Sequence, residues 1–132
     1  MQNCTILIPT FNRSRYLKPL LEYIVNNKYN MPILISDGSN IQSEIDSNKI
    51  IINKLNKDYS NLITHIIDDS FFMERLNTSI KKVDTKYCKI NMDDDFFSKE
   101  FIDEAVIELD NNKDYSIITG YNLGYNKNRT NL

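Results

Sequence analysis

The chain has 132 residues, 41% of them hydrophobic, enough to bury one core and too few for two domains of ordinary size. Sixteen Lys and Arg stand against eighteen Asp and Glu, a net charge of −2 with no basic block, which argues against a nucleic acid as the main partner. No apolar run approaches the roughly 20 residues that span a bilayer, and the first residues lack the parts of an export signal. The expected location is therefore cytoplasmic, with peripheral attachment to the inner face of the membrane as the alternative.

Thr5-Ile6-Leu7-Ile8 is a short β-branched run stopped by Pro9, the pattern of a strand buried on both faces. Leu17, Leu20, Leu21, Ile24 and Val25 then recur at helical spacing, with Ser14 placed to cap. Pro19 forfeits one backbone bond there unless the regular helix starts near Lys18. Pro32 to Ser36 predicts a second buried strand, closed by the turn-forming residues Asp37-Gly38-Ser39-Asn40. Strand, helix, strand in this order implies a right-handed parallel crossover.

A helix over Ser47 to Lys57 and a third strand over Leu62 to Ile67 follow. Met73, Leu76, Ile80 and Val83 share one face of a further helix. Tyr87 to Met92 alternates, with Cys88, Ile90 and Met92 on one side, and runs into Asp93-Asp94-Asp95. Phe101, Ile102, Ala105, Val106 and Leu109 mark a last amphipathic helix capped by Ser98, and Tyr115 to Thr119 reads as a final short strand. Residues 1–120 form the expected domain, and 121–132 are a polar, Asn-rich tail or loop. Cys4 and Cys88 lack metal or redox spacing and read as reduced core residues.

This alternation predicts an α/β fold, a three-layer α/β/α sandwich on a mostly parallel, Rossmann-like sheet. Such sheets bind ligands beyond the carboxyl ends of their strands. Pro9 to Arg13, Asp37 to Ser39 and Asp93 to Asp95 all fall at such ends. Three adjacent carboxylates repel: at about 6 Å a pair costs roughly 3 kcal/mol at an effective dielectric of 20, against under about 1 kcal/mol in water. A half-buried strand end therefore calls for a hard cation such as Mg²⁺ or Mn²⁺, whereas an exposed acidic turn ahead of a helix needs none. Asp37 fits either a carboxylate that accepts from a nucleoside or a turn residue. The first turn, Pro9-Thr10-Phe11-Asn12-Arg13, has no glycine, so it is neither a dinucleotide fingerprint nor a P-loop.

Ile6-Leu7-Ile8-Pro9-Thr10-Phe11-Asn12-Arg13, Ile33-Leu34-Ile35-Ser36-Asp37-Gly38-Ser39 and Tyr87-Cys88-Lys89-Ile90-Asn91-Met92-Asp93-Asp94-Asp95 together resemble the three signature segments of family 2 glycosyltransferases of the GT-A fold, in order and at suitable spacing. The resemblance covers about the first 120 residues, the nucleotide-sugar-binding half of that family. It implies a UDP-sugar donor, a carbohydrate or glycan acceptor, Mn²⁺ or Mg²⁺ as cofactor, and transfer to an acceptor hydroxyl with inversion. It implies that Thr10, Phe11, Asn12, Asp37, Arg75 and Asp94 bind the nucleotide, Phe11 near the base and Asp37 at the uracil edge. Asp95 is the implied metal ligand, with Asp93 beside it.

Departures from the pattern are specific. Ser36-Asp37 stands where the family carries paired aspartates, and Leu76 interrupts its Arg-Asn pair at Arg75 and Asn77, which leaves an exposed structural arginine as the alternative. The acceptor half and its late general base lie beyond the resemblance, so the sequence reads as truncated relative to the family. Asp103, Glu104, Glu108, Asp110 and Asp114 read as solvated acids, and no catalytic residue is assigned. His65 reads as structural. Three other readings compete: a non-catalytic nucleotide-sugar-binding module, a response-regulator receiver built on Asp68-Asp69, and a nucleotidyltransferase. The last two lack, respectively, the acidic pair and the glycine-rich loop after the first strand.

Overall fold

The computed structural model describes residues 3–59, 62–120 and 123–124. Its elements alternate: β1 (Cys4–Thr10), α1 (Ser14–Asn26), β2 (Ile33–Asp37), α2 (Gln42–Asp58), β3 (Ile63–Ile67), α3 (Phe72–Ile80), β4 (Tyr87–Ile90) and α4 (Lys99–Asn111). The four strands form one sheet in the order β3-β2-β1-β4, and every pairing is parallel. This is an α/β domain compatible with a Rossmann-like fold. No helix among the described residues is long and apolar enough to cross a membrane.

Strand order fixes where the helices go. The chain steps from β1 to β2 to β3 in one direction and then returns across the sheet to β4. Right-handed crossovers therefore place α3 on the face opposite α1 and α2. Alternation agrees: Ile6, Ile8, Ile33 and Ile35 join Leu17, Leu20, Leu21, Ile24, Ile51 and Leu55 in the main core. Ser36, on the other face, accepts a hydrogen bond from the Ser79 hydroxyl of α3 at 2.8 Å. Each fully buried Ile or Leu contributes about 1.5–3 kcal/mol by leaving water, so this core fixes the positions of the strand ends.

Several boundaries differ from expectation for local reasons. Ser14 is inside α1 rather than capping it, and its backbone N–H donates to Glu44 Oε2 of α2 at 2.8 Å. Pro19 lies inside α1 on its exposed side, where one missing N–H is tolerated. α2 starts at Gln42, well before Ser47, because Asn12 Oδ1 accepts from the backbone N–H groups of Asn40 and Ile41 at its entrance. Ser98 does cap α4, accepting from Phe101 N.

Two predicted faces are reversed. In α3 the buried residues are Arg75 and Ser79, while Met73 and Ile80 are exposed. Cys88 and Ile90 on β4, and Met92 just beyond it, face outward to solvent. α3 packs over β1 and β2, so that among the described residues no helix covers that side of β4. The opposite side meets α4: Tyr87 donates to Asp110, and Lys89 lies over the Phe97 ring. Tyr115 to Thr119 is not a strand, and Tyr115 and Ile117 are exposed. Of the predicted tail, only Leu123 and Gly124 fall within the described residues.

Candidate functional site

The sequence runs outward from β1 on both sides, to β2 by a direct crossover and to β4 by the return connection, so the topological switch point lies between β1 and β4. Thr10 closes β1 and Asp93 follows β4, and the Thr10 hydroxyl donates to Asp93 Oδ2 at 2.7 Å across this opening. Arg13, just ahead of α1, reaches the same run: its Nη2 is 2.5 Å from Asp94 Oδ2 and its Nη1 is 3.5 Å from Asp93 Oδ1. Buried Asn91 shapes the turn by donating to the Met92 and Asp95 carbonyls at 2.9 and 2.8 Å.

The three aspartates are thereby distinguished. Asp93 is buried, and desolvation raises its pKa despite the Thr10 hydrogen bond and the Arg13 charge. Its Oδ1 has no hydrogen-bond partner. Asp94 is half exposed and paired with Arg13. Asp95 is exposed, and its side chain makes no hydrogen bond or ion pair among the described residues.

The loop after β2 is organised from within by Asp37, which is fully buried. Its Oδ1 accepts from Ser39 N at 2.9 Å, and its Oδ2 accepts from Asn48 Nδ2 and His65 Nε2, each at 2.9 Å. Burial pushes the carboxyl pKa up, but the hydrogen bonds from His65, Ser39 and Asn48 outweigh it and hold the group at about 2. Asp37 thus shapes the Gly38-Ser39 turn and presents no free oxygen to solvent. The turn is tied to β1: Gly38 N donates to the Thr10 carbonyl at 3.0 Å, and Asn12 N donates to Ser39 Oγ at 2.9 Å. Asn12 takes a φ of 52°, a left-handed conformation that Asn tolerates, and its side chain is engaged with Asn40 and Ile41. Phe11 presents a half-exposed ring beside this loop.

Arg75 comes to the same place from α3. It is only 3% exposed, and Nη1 donates to the Ser70 carbonyl at 2.9 Å. Its Nε is buried without a partner, and no acid lies within ion-pair distance among the described residues. The guanidinium covers Gly38, where a Cβ would fall 2.0 Å from Nη1. The alternative of an exposed structural arginine is therefore set aside. Asp68 closes the neighbouring turn, accepting from Ser70 N at 2.9 Å while its own N–H donates to the Asp37 carbonyl.

The structure gathers Thr10, Phe11, Asn12, Asp37, Arg75, Asp93 and Asp94 along the carboxyl ends of β1, β2 and β4, with exposed Asp95 at the end of the same acidic turn. Ser39, Asn48, Asn91 and Arg13 join them without having been singled out as site residues. Asn48 carried a readable signal, a polar side chain on the apolar stripe with Ile51, Ile52 and Leu55. Among the described residues no three His, Cys, Asp or Glu side chains are close enough to hold a metal ion alone. The late acids point elsewhere: Asp110 pairs with Lys86 and Tyr87 at the amino end of β4, and Asp103 pairs with Lys99. No family model matches the chain, and no curated protein matches it.

Proposed function

We propose that this chain binds a UDP-sugar together with Mn²⁺ or Mg²⁺, as the donor-binding part of a metal-dependent, inverting family 2 glycosyltransferase built on a GT-A three-layer sandwich. The observation that carries this reading is Arg75, a buried guanidinium without a carboxylate partner, laid on Gly38 at the strand ends. A buried cation compensated by one carbonyl, the Phe72 ring at 5.9 Å and the more distant Asp68 charge still costs several kcal/mol, a cost that an anionic or carbonyl-bearing ligand offsets. The half-exposed Phe11 ring supplies an apolar face for a base. Asp37 acts at one remove in this reading: it fixes the Ser39 turn rather than touching uracil.

The acidic turn suits the proposed cation. Asp95 offers an exposed carboxylate, and Asp93 a buried oxygen without a hydrogen bond. Two such donors match an ion that completes its shell with water and phosphate oxygens. When bound, the ion would neutralise charge on the departing diphosphate. Arg13, already against Asp94, would keep the turn in place as charge accumulates.

A second reading, a nucleotide-sugar-binding module without transfer activity, is favoured by the acids of α4. Asp110 sits at the amino end of β4, a four-residue strand, which separates it from the site by about 13 Å. It therefore does not serve as a base at the carboxyl ends. Calorimetric titration with UDP, with and without Mn²⁺, tests the shared core of both readings. Binding should require metal and should fall at least about tenfold in Asp95→Ala; equal affinity without metal, or in that variant, refutes the assignment. Incubation with a UDP-sugar and glycan acceptors then separates the two, since intact donor after hours supports the module and defined transfer supports the enzyme.

A further inference from the structure

A hollow of about 410 Å³ lies between α1 and α2, and none of the strand-end residues of the candidate site lines it. Its walls carry Arg15, Lys18 and Lys54, the hydroxyl-bearing Ser14 and Ser47, and Ile50, which is 70% exposed. No carboxylate lines it. Arg15, Lys18 and Lys54 form no ion pair among the described residues, and the Arg15 guanidinium lies over the Tyr16 ring at 4.7 Å. Glu44 is the nearby acid: its carboxylate accepts from Ser14 N, and its pKa is lowered by that hydrogen bond first and also by the Arg15 charge, which leaves Lys18 and Lys54 as the cations no acid offsets among the described residues. In a chain with a net charge of −2, three cations around one hollow that no carboxylate lines make a local positive field that favours an anion. Ile50 adds an apolar wall that inorganic ions do not use.

We propose that this hollow binds a phosphate ester, with the phosphate held by Arg15, Lys18 and Lys54 and the adjoining carbon chain laid on Ile50. The site is distinct from the proposed UDP-sugar site and does not depend on it. A lipid headgroup and a soluble phosphate ester present the same chemistry to these residues.

The test is an NMR titration of the full chain with inorganic phosphate and with n-butyl phosphate. Amides in the first turn of α1 and around Ser47 to Lys54 should respond to both. Butyl phosphate should bind more tightly, by about fourfold for each methylene that Ile50 covers. Ile50→Ser should remove that difference alone, and a K18Q/K54Q double variant should weaken both ligands at least about tenfold. Lys18 and Lys54 are exposed and make no hydrogen bonds, so the double variant should keep the wild-type spectrum elsewhere. Arg75→Met should leave this binding unchanged, which separates the hollow from the strand-end site. Co-sedimentation with phosphatidylcholine vesicles, with and without phosphatidylglycerol, identifies the source. Retention by the anionic vesicles that depends on Lys18 and Lys54 points to a headgroup, and butyl phosphate binding without retention points to a soluble ester. Silence of the named amides at millimolar butyl phosphate, or undiminished binding by the double variant, overturns the proposal.

Discussion

The guanidinium of Arg75 occupies the space that any side chain at position 38 would need, because a Cβ on Gly38 would lie 2.0 Å from Nη1 and 2.2 Å from Cζ. Glycine is required here for close approach and not for backbone freedom, since no glycine described takes a positive φ. Gly38→Ala should push the guanidinium off the turn. A flexible side chain can move, so the stability cost should stay near 1 kcal/mol, while UDP affinity should fall at least about tenfold. Urea denaturation and calorimetry on the same variant check the two halves of this expectation.

Arg75→Met separates ligand binding from folding in the opposite sense. It removes a buried charge with one hydrogen bond and an Nε that has no hydrogen-bond partner, and it keeps an unbranched apolar stem in place of the guanidinium. Replacing a poorly compensated buried ion by an apolar group is often neutral or stabilising by about 1–4 kcal/mol. The variant should be at least as stable as wild type and should lose UDP binding by about tenfold or more. Marked destabilisation would mean that Arg75 is a structural strut.

Asp37 predicts an acid-sensitive component of stability. Its folded pKa, about 2, lies below the ordinary value of 3.8, so the folded state holds the carboxylate more favourably than the unfolded state does. The sign follows: this contribution is fully present above the unfolded value and is lost as pH falls from about 3.8 through about 2. The size is on the order of 2 kcal/mol. Asp37→Asn should flatten the stability profile in that window relative to wild type, and chemical denaturation at stepped pH measures it. Asn48→Ala, which removes one of the donors, should move the acid limb to higher pH.

Asn12 combines a left-handed backbone with a side chain that receives two N–H groups at the entrance of α2. Asn12→Gly keeps the conformation and loses the acceptor, which should cost about 1 kcal/mol. Asn12→Ala loses both, adding about another 1 kcal/mol. The ordering of the two variants in thermal denaturation is the check, and equal stabilities would show that φ carries no strain.

The elements that packing defines were legible in the sequence. β1 and β2 are apolar because both faces are covered, and a run such as Thr5-Ile6-Leu7-Ile8 has few other uses. The placement of candidate residues at strand carboxyl ends followed from the same alternation. The faces of α3 and β4 were not legible. Periodicity identifies an apolar side and assumes that something covers it, but coverage depends on how far α3 extends across the sheet. Arg75 shows the converse: an arginine beside Leu76 reads as a surface residue until the crossover turns it inward. The bonding partners of Asn12 and Asn48 were hidden because they come from other elements and are adjacent only after the strands align, whereas Asn91 bonds within its own turn, to the Met92 and Asp95 carbonyls.

The outward side of β4 gives the acidic turn a task that needs no ligand. Among the described residues β4 is an edge strand, and Cys88 and Ile90, with Met92 just beyond the strand, form an outward apolar stripe that no described helix covers. Open edges of this kind are where chains adhere to one another. Lys86 stands at the entrance of the strand and Asp93 to Asp95 at its exit, so the sticky stretch is bounded by charge at both ends, as gatekeeper residues bound aggregation-prone segments. Neutralising Asp94 and Asp95 together should therefore lower solubility, so these carboxylates bear on the colloidal behaviour of the chain even with nothing bound to them.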